Sequence, residues 1–169
     1  MLKILVTPPV TAEHKQLLET AGGPEAEFIY KNADEVDAAL MQEVDILFGN
    51  VAPALVAEAK KLRLLQLFSA GTDGYIPALP EGCALTNTTG AFGLAISEHM
   101  LGMLLMLQKR LHQYRDNQNK HVWQDMGNVT SIEGATVVVL GLGDIGGEFA
   151  RKVKALGAYT IGVRRTDAN

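Results

Sequence analysis

The chain has 169 residues, of which 47% are hydrophobic and 20% charged, a balance typical of a globular protein rather than of a disordered, collagen-like or coiled-coil chain. Its 15 Lys and Arg residues and 19 Asp and Glu residues give a net charge of −4, which provides no long-range attraction for nucleic acid or anionic lipid. A small-molecule partner is therefore expected. The single cysteine, Cys83, cannot form an internal disulfide, and the first residues do not resemble a signal peptide, so we predict a cytoplasmic protein.

Short β-rich apolar runs alternate with helical patterns along the first 90 residues. Thr11 is expected to cap the first helix, with Leu17 and Leu18 on its apolar face. Such alternation is typical of a parallel sheet with crossover helices, so we predict a flavodoxin-like α/β domain over residues 1–90. The predicted strands cover residues 2–7, 27–30, 45–49, 64–68 and 84–86, and the predicted helices cover residues 11–21, 33–44 and 53–61.

A long helix is predicted from Ala91 to about Lys120. Its most apolar stretch, residues 91–107, is long enough to suggest a membrane span, but Ser97, Glu98 and His99 stand in the middle of it. A central acidic residue costs about 2.5 to 3.5 kcal/mol in a membrane, so a buried helix of a soluble protein is the better interpretation. We assign residues 91–123 to this interdomain helix and the connection that follows it.

The strongest motif is G-x-G-x-x-G, formed by Gly141, Gly143 and Gly146 directly after an apolar strand pattern at residues 137–140. This strand is predicted to be buried. Gly141 permits the tight turn, Gly143 lacks the Cβ that would block a pyrophosphate, and Gly146 lets the next helix lie close to the strand.

A helical pattern to Leu156 and a second strand pattern at residues 159–163 complete the motif's context. The N–H groups at the start of this helix, including those of Asp144 and Ile145, are expected to bind the anion. Residues 124–169 are therefore predicted to begin a Rossmann domain, a doubly wound parallel sheet, of which they contain only the first β-α-β unit. The alternative is a glycine turn with a purely structural role.

The residues after the second strand indicate the cofactor. An NAD site usually has an acidic residue there, about 20 residues beyond the turn, to bind the ribose 2′-OH. This chain has Arg164, Arg165 and Thr166 instead, and Asp167 comes slightly late to replace the acid. Because guanidinium groups bind a 2′-phosphate, we predict NADP(H), with NAD(H) as the alternative and solvent-exposed arginines as the structural interpretation.

Three segments together resemble the D-isomer-specific 2-hydroxyacid dehydrogenases, particularly their glyoxylate/hydroxypyruvate reductase-like branch. Residues 66–73 (QLFSAGTD) resemble the family's S-A-G-x-D loop, and residues 141–147 resemble its nucleotide loop. Residues 86–90 (TNTTG) followed by residues 96–99 (ISEH) resemble its T-N-x-x-G…V-A-E-H segment. The resemblance covers essentially the whole chain.

The resemblance implies hydride transfer between a nicotinamide and C2 of a small 2-oxo or 2-hydroxy acid, in a cleft between the two domains. It implies that the backbone around Ala70 and Gly71 holds the substrate carboxylate, and that the protein is a homodimer. The family's catalytic Arg, Glu and His lie after the second Rossmann strand, so no catalytic residue is assigned here and the chain is expected to be an inactive amino-terminal part. Gly93 departs from the family, whose members often have a hydroxyl or amide there.

Two other function classes remain open. One is a naturally short, noncatalytic dinucleotide-binding or oligomerisation module, and the other is a different Rossmann enzyme such as a methyltransferase. No zinc-like Cys/His spacing and no G-x-S-x-G nucleophile elbow occurs in the sequence, so no metal site is predicted. His14, His112 and His121 are interpreted as surface or structural residues.

Overall fold

The structure is a computed structural model that describes residues 1–166. The chain divides into two compact units, Met1–Thr89 and Gly90–Asn169. Within the described part of the chain, no helix combines the length and the apolar character that crossing a membrane requires.

The first unit contains a five-stranded sheet in which every neighbouring pair of strands is parallel. The strand order is β2-β1-β3-β4-β5. The five predicted strands are thus confirmed, although several are shorter than predicted. Their bounds are Leu2–Val6 for β1, Ala26–Tyr30 for β2, Ile46–Phe48 for β3, Leu64–Gln66 for β4 and Ala84–Thr86 for β5.

The core of this unit is centred on the three middle strands. Leu5 lies opposite Leu47 in the sheet, and Leu47 lies opposite Leu65. All three side chains are completely buried, and Met41 and Val44 belong to the same core. Burying one leucine side chain contributes roughly 1.5 to 3 kcal/mol, so this row of side chains holds the sheet together.

Three short α-helices accompany the sheet: α1 (Ala12–Gly22), α2 (Ala38–Met41) and α3 (Pro53–Ala57). The predicted cap at Thr11 is confirmed, because its hydroxyl accepts the His14 N–H at 3.2 Å while the His14 Nδ1 accepts the Thr11 N–H at 3.4 Å. The apolar face predicted for α1 is wrong in part, since Leu17 is 63% exposed.

The single helix predicted over residues 33–44 is also wrong. A 3₁₀ turn at Ala33–Glu35 ends at Val36, whose backbone is extended, and α2 begins after Asp37. The Asp37 carboxylate accepts the Leu40 N–H at 2.8 Å and so starts a new helix there. The apolar spacing that suggested one helix instead reflects burial: Val36 and Val44 both reach the core from separate local structures.

The second unit contains a parallel pair of strands, β6 (Thr136–Leu140) and β7 (Tyr159–Val163), joined by α6 (Asp144–Ala155). Two helices, α4 (Gly93–Gln108) and α5 (Leu111–Asn119), precede them. The β-α-β unit is therefore as predicted, with β7 at the predicted bounds.

The prediction of one continuous helix to Lys120 is wrong. The helix is interrupted between α4 and α5 at Arg110, which adopts a left-handed backbone conformation with φ of 54°. Side chains at the break bind carbonyl oxygens of the connection before β6. Lys109 Nζ donates to the Thr130 oxygen at 2.7 Å, and Arg110 donates to the Met126 oxygen.

The core of the second unit lies between α4, α6 and one face of the strands. Val139, Phe149 and Val153 are buried there, with partly buried side chains of α4 packed against them. The prediction that residues 137–140 form a fully buried strand is wrong, because Val138 is 55% and Leu140 81% exposed. Side chains alternate across a strand, and α6 packs on one face only. Burial of α4 is likewise one-sided, since Leu107 is 59% exposed.

Candidate functional site

The glycine-rich turn, residues 141–146, connects the end of β6 to the start of α6. Gly141 has φ of 91°, a left-handed conformation that favours glycine, and its N–H donates to the Val163 oxygen at 2.7 Å. Gly143 is the residue at which α6 is capped. The turn is thereby fixed to the carboxyl ends of both strands.

Gly146 is required by the close approach of α6 to the turn. A Cβ at this position would lie 1.8 Å from the Gly141 carbonyl oxygen and 3.3 Å from Val139 Cγ1. A Cβ at Gly143, in contrast, would meet no atom within 4 Å among the described residues. The space over Gly143 is therefore open, as a group bound against this backbone would require.

Leu142 and Gly162 form a contact that sequence reasoning missed. A Cβ at Gly162 would lie 1.9 Å from Leu142 Cδ1, so the leucine side chain lies directly on the backbone of β7. This contact anchors the middle of the turn to the sheet. The available signal was the glycine inside a predicted strand, which commonly marks a close approach by another group.

The first turn of α6 presents backbone donors. Among residues 1–166, the N–H groups of Asp144, Ile145 and Gly146 have no hydrogen-bond acceptor. Such groups at the start of a 12-residue helix carry partial positive charge, which favours an anion. The open space at Gly143 and these donors together fit a diphosphate group.

The Asp144 side chain points to the start of α4. Its Oδ2 accepts the Gly90 N–H at 3.2 Å, and a Cβ at Gly93 would lie 2.6 Å from its Oδ1. From sequence, Asp144 is a candidate only through its backbone N–H, and Gly93 is only a departure from the family pattern. Only the structure brings residues 90, 93 and 144 together.

Arg164, Arg165 and Thr166 follow the end of β7, and all three are exposed. Neither arginine makes an ion pair or side-chain hydrogen bond with another residue in the range 1–166. Their position beside the turn follows from the Gly141–Val163 hydrogen bond. Asp167 lies outside the described residues.

The loop of residues 68–71 in the first unit carries the predicted substrate-binding positions. Ala70 and Gly71 are exposed, and within residues 1–166 their N–H groups have no acceptor. Two adjacent free N–H groups can bind a carboxylate. The loop follows β4 and lies at the carboxyl edge of the sheet, where β3 and β5 also end.

Two asparagines hold this loop from opposite sides. Sequence reasoning missed Asn50 and noted Asn87 only as part of the TNTTG segment, residues 86–90. Asn50, after β3, accepts the Phe68 N–H at 2.8 Å through Oδ1 and donates to Ser69 Oγ at 2.9 Å through Nδ2. Asn87, after β5, donates to the Ala70 oxygen at 2.8 Å. Their positions just after β3 and β5 could have indicated this role, because polar residues that follow neighbouring parallel strands meet at one edge of the sheet.

The other candidate groups form no second reactive cluster. Glu98 and His99 are exposed on α4, and the residues that the structure describes include no group of three His, Cys, Asp or Glu side chains that could hold a metal ion. Burial raises the pKa of the Cys83 thiol. That shift disfavours the reactive thiolate.

Comparison with known proteins agrees with this geometry. Residues 101–169 match the model of the family "D-isomer specific 2-hydroxyacid dehydrogenase, NAD binding domain". The D-3-phosphoglycerate dehydrogenase of Methanocaldococcus jannaschii is 27% identical over 170 aligned positions, which cover 96% of this chain and 32% of that protein.

Solved structures give the same result. A D-isomer specific 2-hydroxyacid dehydrogenase family protein from Aeromonas salmonicida is 31% identical with a TM-score of 0.80, over 97% of this chain and 54% of that one. The D-lactate dehydrogenase of Aquifex aeolicus, solved with NAD and lactic acid, has the same fold with a TM-score of 0.78 at 18% identity, over 98% of this chain and 52% of that one.

The fold and the glycine-rich turn define a chain of mixed α/β structure with a dinucleotide-type β-α-β unit. The chain is similar to D-isomer-specific 2-hydroxyacid dehydrogenases, and its residues 101–169 match the NAD binding domain of that family. It spans about a third of the length of the curated relative and about half of the two solved structures.

Proposed function

We propose that the protein is an NAD(P)-dependent oxidoreductase of the D-2-hydroxyacid dehydrogenase type, and that residues 124–169 bind the diphosphate of its dinucleotide. The observation that carries this proposal is the set of acceptor-free N–H groups at the start of α6, beside the open space at Gly143. A saturable shift of backbone amide resonances at residues 141–146 on addition of a nicotinamide dinucleotide would support it. No saturable binding of either dinucleotide would overturn it.

NADPH is the proposed reductant. Exposed guanidinium groups at Arg164 and Arg165, with Thr166 beside them, suit a ribose 2′-phosphate, whereas no acidic side chain stands directly after β7. Charge-assisted hydrogen bonds contribute about 1.5 to 3 kcal/mol each, so Arg164→Asp should lower the NADPH-to-NADH affinity ratio by at least about tenfold. The exposed Arg115 on α5 supplies the control Arg115→Asp. An unchanged ratio in Arg164→Asp would show that this arginine contacts only solvent.

The proposed substrate is a small 2-oxo acid similar to glyoxylate or hydroxypyruvate. The free N–H groups of Ala70 and Gly71 would bind its carboxylate, and Asn50 and Asn87 would keep both donors in place. The nicotinamide, when bound, supplies the hydride for C2 of the substrate. Weaker substrate binding, seen as a raised Kd for glyoxylate in Asn87→Ala with NADPH affinity unchanged, would support this role.

We propose no catalytic acid or base within these 169 residues, because the family's Arg, Glu and His have no matched counterpart in them. The purified 169-residue chain should therefore show no reductase turnover. Measurable NADPH oxidation with glyoxylate or hydroxypyruvate by this chain would contradict the proposal.

Residues 1–90 are proposed to form a flavodoxin-like substrate domain, residues 91–123 an interdomain segment, and residues 124–169 the start of the NAD(P)-binding domain. The strand order β2-β1-β3-β4-β5 supports the first assignment, because flavodoxin-like sheets have the order 2-1-3-4-5. Limited proteolysis should then cut first in the exposed segment after α5, around Val122 and Trp123. Preferential cleavage inside the first 90 residues would argue against these boundaries.

A homodimer is proposed through the surface around Trp123. This side chain is fully exposed, and Val122 beside it is 44% exposed. Large exposed apolar side chains of this kind are typical of interaction surfaces. The same surface favours the second candidate function, a noncatalytic dinucleotide-binding or oligomerisation module. Trp123→Ser should give a monomer in sedimentation, while a dimer that persists in this variant would exclude this surface.

A further inference from the structure

The side chain of Asp144 occupies the space that any Cβ at Gly93 would need. A Cβ built at Gly93 would lie 2.6 Å from Asp144 Oδ1, 3.0 Å from Cγ and 3.2 Å from Oδ2. Gly93 itself is buried, although Asp144 as a whole is exposed. The two positions are 51 residues apart in the chain and meet only through the fold.

The same carboxylate is held by a backbone donor. Asp144 Oδ2 accepts the Gly90 N–H at 3.2 Å, and Gly90 has φ of 95°, a conformation suited to glycine. Asp144 is the first residue of α6, while Gly93 is the first residue of α4, a 16-residue helix. One negative charge thus lies at the positively polarised ends of two helices, where it is stabilised.

A carboxylate at the start of α6 also creates a problem for anion binding. The acceptor-free N–H groups of residues 144–146 attract an anion, but a nearby negative side chain repels it. The contact with Gly90 and Gly93 fixes the carboxylate on the side of α4. Without the contact with Gly90 and Gly93, the aspartate side chain would turn toward the acceptor-free N–H groups of residues 144–146.

We propose that Gly93 and Asp144 form a matched pair that positions the nucleotide-binding turn. The absence of a Cβ at Gly93 leaves the space that the Asp144 carboxylate occupies. In that position the carboxylate connects α4 to α6 and does not approach the bound diphosphate. Asp144 is therefore a positioning residue, and a glycine is needed at position 93 only when residue 144 is an aspartate. The part that concerns the diphosphate rests on the proposed dinucleotide binding, whereas the contact itself does not.

Thermal unfolding of the full-length protein tests the contact independently of any ligand. Gly93→Ala should lower Tm, because the new methyl group displaces the Asp144 carboxylate and so breaks its hydrogen bond with the Gly90 N–H and its interaction with the ends of both helices. Asp144→Ala removes Oδ1, the atom nearest to the new methyl group, together with Cγ and Oδ2. Adding Gly93→Ala to that variant should therefore raise Tm, since alanine is the better helix former. The change in Tm caused by Gly93→Ala is thus expected to be negative with Asp at position 144 and positive with Ala there.

Gly102 provides the matched control on the same helix. A Cβ there would meet no atom within 4 Å in the described part of the chain, so Gly102→Ala should raise Tm whether residue 144 is Asp or Ala. If Gly93→Ala behaves like Gly102→Ala in both backgrounds, the pair does not exist and the proposal is overturned.

Affinity for NADPH, measured by calorimetry on the same proteins, tests the electrostatic part. Gly93→Ala should weaken binding at least fivefold, and Asp144→Asn in that background should recover most of the loss while Tm stays low. The amide has the shape of the carboxylate without its charge, so a purely structural role would not separate the two measurements. Equal losses with Asp and Asn at position 144 would overturn the electrostatic part.

Failure of the pair and failure of the proposed function are distinguishable. If the wild-type protein binds neither NADPH nor NADH, the proposed function fails, and the sign change in Tm still decides whether the contact exists. If the wild-type protein binds NADPH and the sign change is missing, the proposed function stands and the pair is rejected.

Discussion

The two parallel sheets of this protein are built from similar apolar strands but are buried very differently. In the first unit the central strands contribute Leu5, Leu47 and Leu65, all completely buried. In the second unit β6 reads TVVVL, yet only Val139 is buried and Leu140 is 81% exposed. The difference does not come from the strands' own composition. It depends on how many elements pack on each sheet.

The comparison shows what an apolar strand pattern does and does not encode. An apolar run shows that a strand can be buried on both faces. Whether both faces are covered depends on neighbouring strands and helices, which the run does not specify. In the described part of the second unit, α6 and α4 pack on one face of the pair β6–β7.

The largest expected effect compares one leucine from each sheet. Leu65→Ala should lower the free energy of unfolding by about 3 kcal/mol, because it leaves a cavity in a closed core. Leu140→Ala should change it by less than about 0.5 kcal/mol, since the side chain is exposed. Urea unfolding of both variants measures the contrast. Equal losses would mean that β6 is covered on both faces.

The next effect concerns adjacent glycines of α6. Gly146→Ala should cost about 2 to 3 kcal/mol of stability and abolish dinucleotide binding, because the new Cβ meets the Gly141 oxygen at 1.8 Å. Gly147→Ala is the matched control. Its Cβ would meet nothing within 4 Å among the described residues, so it should stabilise the helix by about 0.5 to 1 kcal/mol. A stable, dinucleotide-binding Gly146→Ala protein would refute the close approach.

A smaller effect is expected at the 68–71 loop of the first unit. Asn50→Ala removes hydrogen bonds to the Phe68 N–H and Ser69 Oγ, so it should cost about 1 to 2 kcal/mol. Asn50→Asp keeps an acceptor for the Phe68 N–H and should cost roughly half as much. Amide hydrogen exchange at Phe68, whose N–H Asn50 accepts, should rise in the same order. Unchanged exchange in Asn50→Ala would show that other contacts, such as that of Asn87 with the Ala70 oxygen, are enough to hold the loop.

The smallest effect concerns the ion pairs of one glutamate in each unit, Glu43 in the first and Glu148 in the second. The hydrogen bond from Lys3 lowers the pKa of Glu43, and hydrogen bonds from Arg151 and Lys152 lower the pKa of Glu148. A lowered carboxyl pKa stabilises the folded state above the unfolded value of about 4.5, and this contribution is lost as the pH falls through the folded-state pKa.

NMR titration of the glutamate side chains measures these shifts directly. Lys3→Met should raise the pKa of Glu43 and leave that of Glu148 unchanged. Added salt should reduce both shifts, because exposed charges are screened. A Glu43 pKa that does not respond to Lys3→Met would show that the ion pair is absent in solution.

Local signals predicted most elements of the chain correctly. The cap at Thr11, the strand β5 and the strand–turn–helix–strand order around Gly141 are encoded within a few residues each. The breaks at Asp37 and Arg110 were missed for opposite reasons. At Asp37 a capping residue overrode the apolar spacing, and at Arg110 contacts with the distant connection stabilised an unusual backbone conformation.

The sequence by itself determined the parallel strands, the glycine-rich turn and the arginines that follow β7, because each depends on neighbouring residues and on backbone preferences. The tertiary structure alone decided the contacts of Asn50 with the 68–71 loop, of Leu142 with Gly162 and of Asp144 with Gly93. Such contacts join residues that are 18 to 51 positions apart. Their existence depends on the packing of whole elements, which no local pattern specifies.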